Sequence, residues 1–399
     1  MPRLPKVHSL TRELKSKVAN TLTARAFDKV AGRNGPVPDD GIAVFFGVGP
    51  ENGYQLDQWR RPLESLARRR GVFLIADRAD TGRYLLETFG LPIAFARGSG
   101  ALELLVARHR VRAVLYVNQV EPNFRMMRFA EPLHIQLGHG ESDKGGSVSN
   151  QHKAYDLTFV GGEAGLVRLA EALYDFDADQ RIRLVGRPQL DYDYPGAPAW
   201  GDDGSIRVLY APTWEGDRPS IRYSSVLTHG RTIIEALRAD PRVRIVYRPH
   251  PRTGWVSAEH GAADLALRAV LQADGNRHLI DIGPYGWQWG FADACVTDVS
   301  AVAYDWLATR KPMVITRPAT EVYLPSSRLL DSLPLLPVEE ATDVTRRLLD
   351  GDSPALLGTL AEHYFGDTSP GASTRRFEEA LEEAISQRAA EIAARASRS

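Results

Sequence analysis

A single cysteine, Cys295, stands among the 399 residues, so no intrachain disulfide can form and no thiolate cluster can hold a metal. It lies in the apolar run Ala294-Cys295-Val296 and reads as a small buried hydrophobe. No stretch approaches the roughly 18 consecutive apolar residues of a membrane-spanning helix, and the first residues lack the apolar core of a secretory signal, which gives a cytoplasmic reading. Excess charge is missing too: the formal net charge is -1, so no global field points to nucleic acid as a partner. There is no GxxxxGK[ST] phosphate loop, no HExxH zinc helix and no GxSxG nucleophile elbow. What remains is a composition 43% hydrophobic and 25% charged, typical of a globular chain, with length for two ordinary domains.

Residues 1–40 are expected to form a basic amphipathic helix. As far as Arg33, the basic residues Arg3, Lys6, Arg12, Lys15, Lys17, Arg25, Lys29 and Arg33 face only Glu13 and Asp28, while Leu10, Leu14, Val18 and Leu22 recur at i+4. Such a helix either lies on an anionic membrane surface or packs on the first domain with its lysines solvated.

From Gly41 onward, short apolar runs alternate with helical stretches. Ile42–Phe46, Val72–Ala76, Ala113–Val117, His134–Leu137, Leu157–Val160 and Ile182–Val185 read as buried strands of one parallel α/β domain, residues 41–190. Residues 191–204, rich in Asp, Tyr, Pro and Gly, show no period and read as a linker. The alternation restarts with Arg207–Tyr210, Val243–Tyr247, His278–Asp281, Ala294–Thr297 and Pro312–Thr316, giving a second α/β domain over 205–370. Residues 371–399 lack Gly and Pro from Thr374 to Ser397 and predict a long helix with an unknown partner.

Two histidines follow strands, where open α/β sheets bind ligands. In Leu137-Gly138-His139-Gly140-Glu141 the imidazole sits between glycines that permit close approach of a substrate, which makes His139 a general-base candidate. Glu141 and Asp143 are candidates to orient its ring and Lys144 to meet a phosphate; a solvated charged loop is the alternative for all three. In Arg248-Pro249-His250-Pro251-Arg252 two prolines stiffen a cationic loop suited to a diphosphate. Thr297-Asp298-Val299-Ser300 reads as a strand end and helix start, capped by Asp298 or Ser300, whose amides favour phosphate. In Ala211-Pro212-Thr213-Trp214-Glu215-Gly216-Asp217-Arg218, Thr213 is a phosphate candidate and Arg218 a candidate for an acidic group. Trp214, Trp287 and Trp289 read as core. Gly47-Val48-Gly49-Pro50 after the first strand is explained by a turn, and His8, His109, His152, His229, His260 and His278 share no spacing.

The order His139-Gly140, Tyr210-Ala211-Pro212-Thr213-Trp214, Arg248-Pro249-His250-Pro251, Thr297-Asp298-Val299-Ser300, Arg310-Lys311-Pro312 resembles the CDP-glycerol glycerophosphotransferase family of teichoic-acid synthesis, over residues 130 to 320. The resemblance implies a GT-B-like fold, two doubly wound Rossmann-like domains facing a cleft, and a metal-independent peripheral-membrane transferase without cofactor. In such an enzyme an acceptor hydroxyl attacks the β-phosphorus of a CDP-alditol, usually CDP-glycerol, and CMP leaves. It implies that His139 and His250 are needed for activity and that Thr213, Arg248, Asp298, Ser300 and Gly140 serve the donor. The implied acceptor is a lipid-linked glycan or polyol-phosphate polymer of wall or capsule, met at the inner face of the membrane through the N-terminal helix. The sequence departs from the family pattern where Gly138 precedes His139, where Glu141-Ser142-Asp143-Lys144 follow it, and where Ala301 replaces a second serine. A GT-B glycosyltransferase using a UDP- or CMP-sugar and a non-catalytic nucleotide-binding protein are the alternatives.

Overall fold

The computed structural model describes residues 32–141, 143, 148–319, 322, 324, 326–351 and 353–398. The basic helix expected at the N-terminus falls, through residue 31, outside the described residues, and so does Lys144.

Seven strands form the first sheet: β1 Ile42–Phe46, β2 Val72–Ala76, β3 Ile93–Phe95, β4 Ala113–Tyr116, β5 Leu133–Gln136, β6 Leu157–Val160 and β7 Ile182–Leu184. Their order is β3-β2-β1-β4-β5-β6-β7, and the pairings from β3 through β6 are parallel. Five more strands, β8 Ile206–Ala211, β9 Val243–Tyr247, β10 Leu279–Ile280, β11 Ala294–Thr297 and β12 Met313–Ile315, form a parallel sheet ordered β10-β9-β8-β11-β12. In both sheets the chain winds outward from a central strand and then returns across it, the doubly wound topology whose switch point lies beside the first strand. Strands buried along their whole length, such as β1, β2 and β11, need cover on both faces, which is why their sequences are apolar without alternation.

The chain divides into two compact units. One comprises Met1–His139, Lys153–Thr158 and Glu378–Ser399; the other comprises Gly140–His152 and Phe159–Phe377. In the first, Phe45, Phe73, Ile75, Val114 and Tyr116 build the core. The last turns of the C-terminal helix Ala372–Ala396 belong to this unit: Glu378 accepts from Arg69 at 2.8 Å, Glu382 pairs with Arg70, and Arg388 donates to Asp156 at 3.0 Å. Leu381, Ala384 and Ile385 are buried along that stretch.

The second unit packs β8, β9 and β11 between two apolar layers, one around Ile233, Ile234, Leu237 and Leu267, the other around Trp306, Tyr364 and Phe365. Cys295 is wholly buried in β11, and burial pushes its thiol pKa well up, so it behaves as a core hydrophobe. Between the turn Pro188–Asp191 and β8 no regular element forms, yet the chain is anchored there: Tyr194 donates to Gln189 O at 2.8 Å.

Candidate functional site

At the carboxyl edge of the second sheet the strand ends are tied into one frame. β8 and β11 are neighbours with Ala211 opposite Thr297, whose hydroxyl donates to Ala211 O at 2.7 Å. Asp298, just beyond, turns inward. Its Oδ2 accepts from the backbone N–H of Thr213 at 2.7 Å and of Ser225 at 3.1 Å, and its Oδ1 accepts from Thr316 Oγ1 at 2.6 Å. Burial pushes its carboxyl pKa up, opposed by these donors. This corrects the reading of Asp298 as a helix cap or direct phosphate contact. A fully buried, fully engaged carboxylate cannot touch a donor, and it would repel phosphate if it did; its work is to hold the Thr213 loop.

Ser300 occupies the N-cap of helix Ala301–Leu307 in extended backbone, but its side chain does not cap; it meets Thr297 Oγ1 at 3.2 Å. Gly140 belongs to the same unit, and a Cβ placed on it would stand 2.8 Å from Ala301 Cβ. Glycine is therefore required there by contact. Behind this point runs a buried ion pair: Arg187 Nε and Nη2 donate to Asp305 Oδ1 and Oδ2 at 2.7 and 3.0 Å, and Tyr285 OH donates to Oδ2 at 2.8 Å.

Beyond β9, Arg248 donates through Nη1 to Asp281 at 2.6 Å and to Gly283 O at 3.0 Å, so its guanidinium is aimed by a carboxylate at the end of β10. His250 accepts at Nδ1 from the backbone N–H of Arg252 at 3.1 Å. A backbone amide only donates, so this nitrogen carries no proton and the neutral ring bears its hydrogen on Nε2. The ring lies parallel to Trp214, with centroids 6.2 Å apart, and Arg252 stands over Trp214 at 5.3 Å and over Trp255 at 5.1 Å. Trp214 is half-buried, which corrects its assignment to the core; Trp287 and Trp289 do lie in the core cluster. The loop itself is clamped by Glu215, which accepts from the backbone N–H of Gly254, Val256 and Ser257 at 3.0, 2.8 and 3.1 Å. Burial would raise the pKa of Glu215, but these amides outweigh it and hold it below the usual carboxylate range.

His139 lies in the first unit, past β5. Its Nδ1 sits 3.0 Å from Val117 O. A carbonyl only accepts, so Nδ1 carries the proton and Nε2 has the lone pair. Tyr54 meets the ring edge-on at 6.2 Å, and Trp59 Nε1 donates to Gly138 O at 2.6 Å, fixing the preceding glycine in its left-handed conformation, φ 66°.

Glu141 and Asp143 do not orient this imidazole, a correction with a plain cause: their oxygens are spent elsewhere. Glu141 accepts from Gly161 N at 2.7 Å and Arg168 Nη2 at 2.8 Å; Asp143 accepts from Arg168 Nη1 at 2.6 Å and from Tyr304 and Tyr364 hydroxyls at 3.1 and 2.7 Å. Arg218 is exposed, with Asp217 at 3.4 Å. Thr213 is buried, its amide held by Asp298. Lys311 of the Arg-Lys-Pro motif donates to Trp289 O and Ala292 O at 2.9 and 2.7 Å and ties off the end of helix Trp287–Phe291. Among the described residues, no three His, Cys, Asp or Glu side chains are grouped to hold a metal ion, and no helix is long and apolar enough to cross a membrane.

Sequence reasoning missed Trp214, Glu215 and the Arg187–Asp305 pair. The partners of Glu215 are backbone amides, which leave no mark in a sequence.

Residues 198–331 match the model of the CDP-Glycerol:Poly(glycerophosphate) glycerophosphotransferase family, the family whose motif order the sequence resembles. No curated protein matches the chain by sequence. Among solved structures, the wall teichoic acid polymerase TagF is similar at 12% identity and TM-score 0.54, covering 96% of this chain and 99% of that one. A putative UDP-N-acetylglucosamine 2-epimerase from Listeria monocytogenes matches at 12% identity and TM-score 0.58, covering 86% and 97%. The UDP-GlcNAc 2-epimerase from Neisseria meningitidis matches at 12% and 0.56, covering 86% and 99%. At such identities the likeness fixes the fold: α/β and GT-B-like, with two Rossmann-like sheets.

Proposed function

We propose that this chain is a CDP-glycerol glycerophosphotransferase-type enzyme, which moves glycerol phosphate, or the alditol phosphate of a related CDP-alditol, to a hydroxyl of a lipid-linked, wall or capsule glycopolymer and releases CMP. The family match over residues 198–331 supports the donor chemistry. The observation that carries the reading is the opposite tautomers of two histidines: His139 carries its proton on Nδ1 and leaves Nε2 unprotonated, and His250 carries its proton on Nε2. One is prepared to take a proton and the other to give a hydrogen bond.

In this reading the acceptor hydroxyl passes its proton to His139 Nε2 as its oxygen attacks the β-phosphorus. The bond from that phosphorus to the bridging oxygen breaks, and CMP leaves with both bonding electrons. His250 Nε2–H and the Arg248 guanidinium stabilise charge on the diphosphate, with Thr213, Ser300 and Gly140 shaping the donor's seat. Asp298 and Glu215 position these groups and touch no substrate. No metal or cofactor takes part. The basic segment before residue 32 supports attachment to the cytoplasmic face of a membrane.

The test is CMP release from CDP-glycerol with a glycerol-phosphate-primed acceptor. The protein should release CMP only with both present, and His139→Ala should abolish turnover while CDP-glycerol still binds. Undiminished turnover in His139→Ala, or product formed from a UDP-sugar and not from CDP-glycerol, overturns the reading.

A further inference from the structure

We infer that the second unit holds a binding pocket for a neutral sugar ring at the amino-terminal edge of its sheet. The cavity encloses about 570 Å³, within the range of small-molecule sites. Its walls are the linker residues Tyr192 and Tyr194, the helix Trp287–Phe291, and Arg207 at the start of β8. Lys311, just before β12, also lines it. The cavity therefore opens at the end of the sheet opposite to that from which Thr213, His250 and Asp298 emerge.

The pocket is built by close packing. The ring of Tyr194 rests on Gly286, where a Cβ would meet it at 2.1 Å, and φ of 120° at Gly286 also demands glycine. Trp287 lies over Gly196, where a Cβ would stand 3.2 Å from its ring. Phe291 is covered on one side by the Arg207 guanidinium at 4.6 Å.

Its polar groups ask for a particular ligand. Trp289 is 9% exposed, and its indole N–H has no partner among the described residues; the same holds for Nε of Arg207. Buried donors without acceptors are uncommon in folded proteins and mark places where a ligand completes the structure. Asp191 and Asp193 line the same cavity, and Asp191 accepts from Thr374 N at 2.6 Å. Of the cations that share this lining, Arg187 is paired with Asp305 and Lys311 is spent on the carbonyls of Trp289 and Ala292, so beside Asp191 and Asp193 the cavity offers no excess of positive charge for a phosphate or nucleotide, while a purely apolar ligand would leave the donors bare. A sugar meets both demands: its hydroxyls accept from N–H and donate to carboxylates, and its C–H faces lie on aromatic rings. The inference does not depend on the transferase reading.

The experiment titrates the full-length protein with glucose, N-acetylglucosamine and N-acetylmannosamine, read by tryptophan emission and saturation-transfer NMR. Trp289→Phe keeps the ring and removes the donor; Tyr192→Ala, at a half-buried position, opens the wall and spares the core. Saturable millimolar binding of at least one sugar, unaffected by CMP and weakened about tenfold or more in each folded variant, supports the pocket. No saturable binding of any of the three, wild-type affinity in either folded variant, or displacement by CMP overturns it.

Discussion

Trp214 and His250 lie nearly parallel, their ring planes 22° apart and their centroids separated by 6.2 Å, so the indole is a wall against which the imidazole of the Pro-His-Pro turn is set. Proline on each side fixes the backbone of His250; the indole and the Arg252 amide fix its ring. Replacement of Trp214 by Ala should lower kcat about tenfold, near 1.4 kcal/mol of lost transition-state stabilisation, with a smaller change in KM. Trp214→Phe should restore most of it. Equal losses in both variants, all in KM, would assign the indole to donor binding instead.

Gly140 tests the seat at the start of helix Ala301–Leu307. Gly140→Ala introduces a methyl 2.8 Å from Ala301 Cβ, and overpacking of this kind costs about 1–3 kcal/mol. The thermal midpoint should fall, and the second change Ala301→Gly should recover part of it. A midpoint unchanged in Gly140→Ala would mean the contact relaxes freely.

The Arg187–Asp305 pair predicts a large asymmetry. Asp305→Ala strands a guanidinium that is 5% exposed, and breaking a buried pair on one side costs about 3–5 kcal/mol. Replacing both partners by apolar residues, Arg187→Met with Asp305→Leu, should cost less than Asp305→Ala alone. Urea melts of the three proteins decide it.

His278 predicts a sensitivity to acid. Its Nδ1 accepts from Ile245 N at 3.1 Å and its Nε2 meets Asp274 at 3.1 Å, so protonation at Nδ1 breaks a bond into β9. Burial, joined by the charge of Arg277, lowers its pKa to about 4, against about 6.5 in the unfolded chain. Between those values the unfolded state binds the extra proton, so the contribution of His278 is whole above about pH 6.5 and drains as pH falls toward 4. His278→Gln should be less stable near pH 7.5 yet lose less on acidification. Parallel slopes in thermal melts at about pH 7.5 and about pH 5 would refute this.

The sheets were legible in the sequence because their strands are buried on both faces: Ile42–Phe46, Val72–Ala76, Leu157–Val160, Val243–Tyr247 and Ala294–Thr297 coincide with the apolar runs that predict them. The strand Ile93–Phe95 escaped notice, being three residues long at a sheet edge. The positions of His139 and His250 past β5 and β9 were equally readable. The directions of the acids were not. Asp143 and Glu141 look like solvated loop charges until Arg168 arrives from a helix 25 and 27 residues away, and nothing local distinguishes Asp298 from a helix cap. The long C-terminal helix was plain, whereas its return to Arg69 and Asp156 depends on pairings more than 200 residues apart in sequence.

The oxygen that steers His139 belongs to the main chain of Val117, not to a side chain. No replacement of residue 117 deletes it, so the ring's proton is insulated from ordinary point variation and tied to where β4 stops. An engineer seeking to invert that imidazole would have to shift the strand itself by one residue.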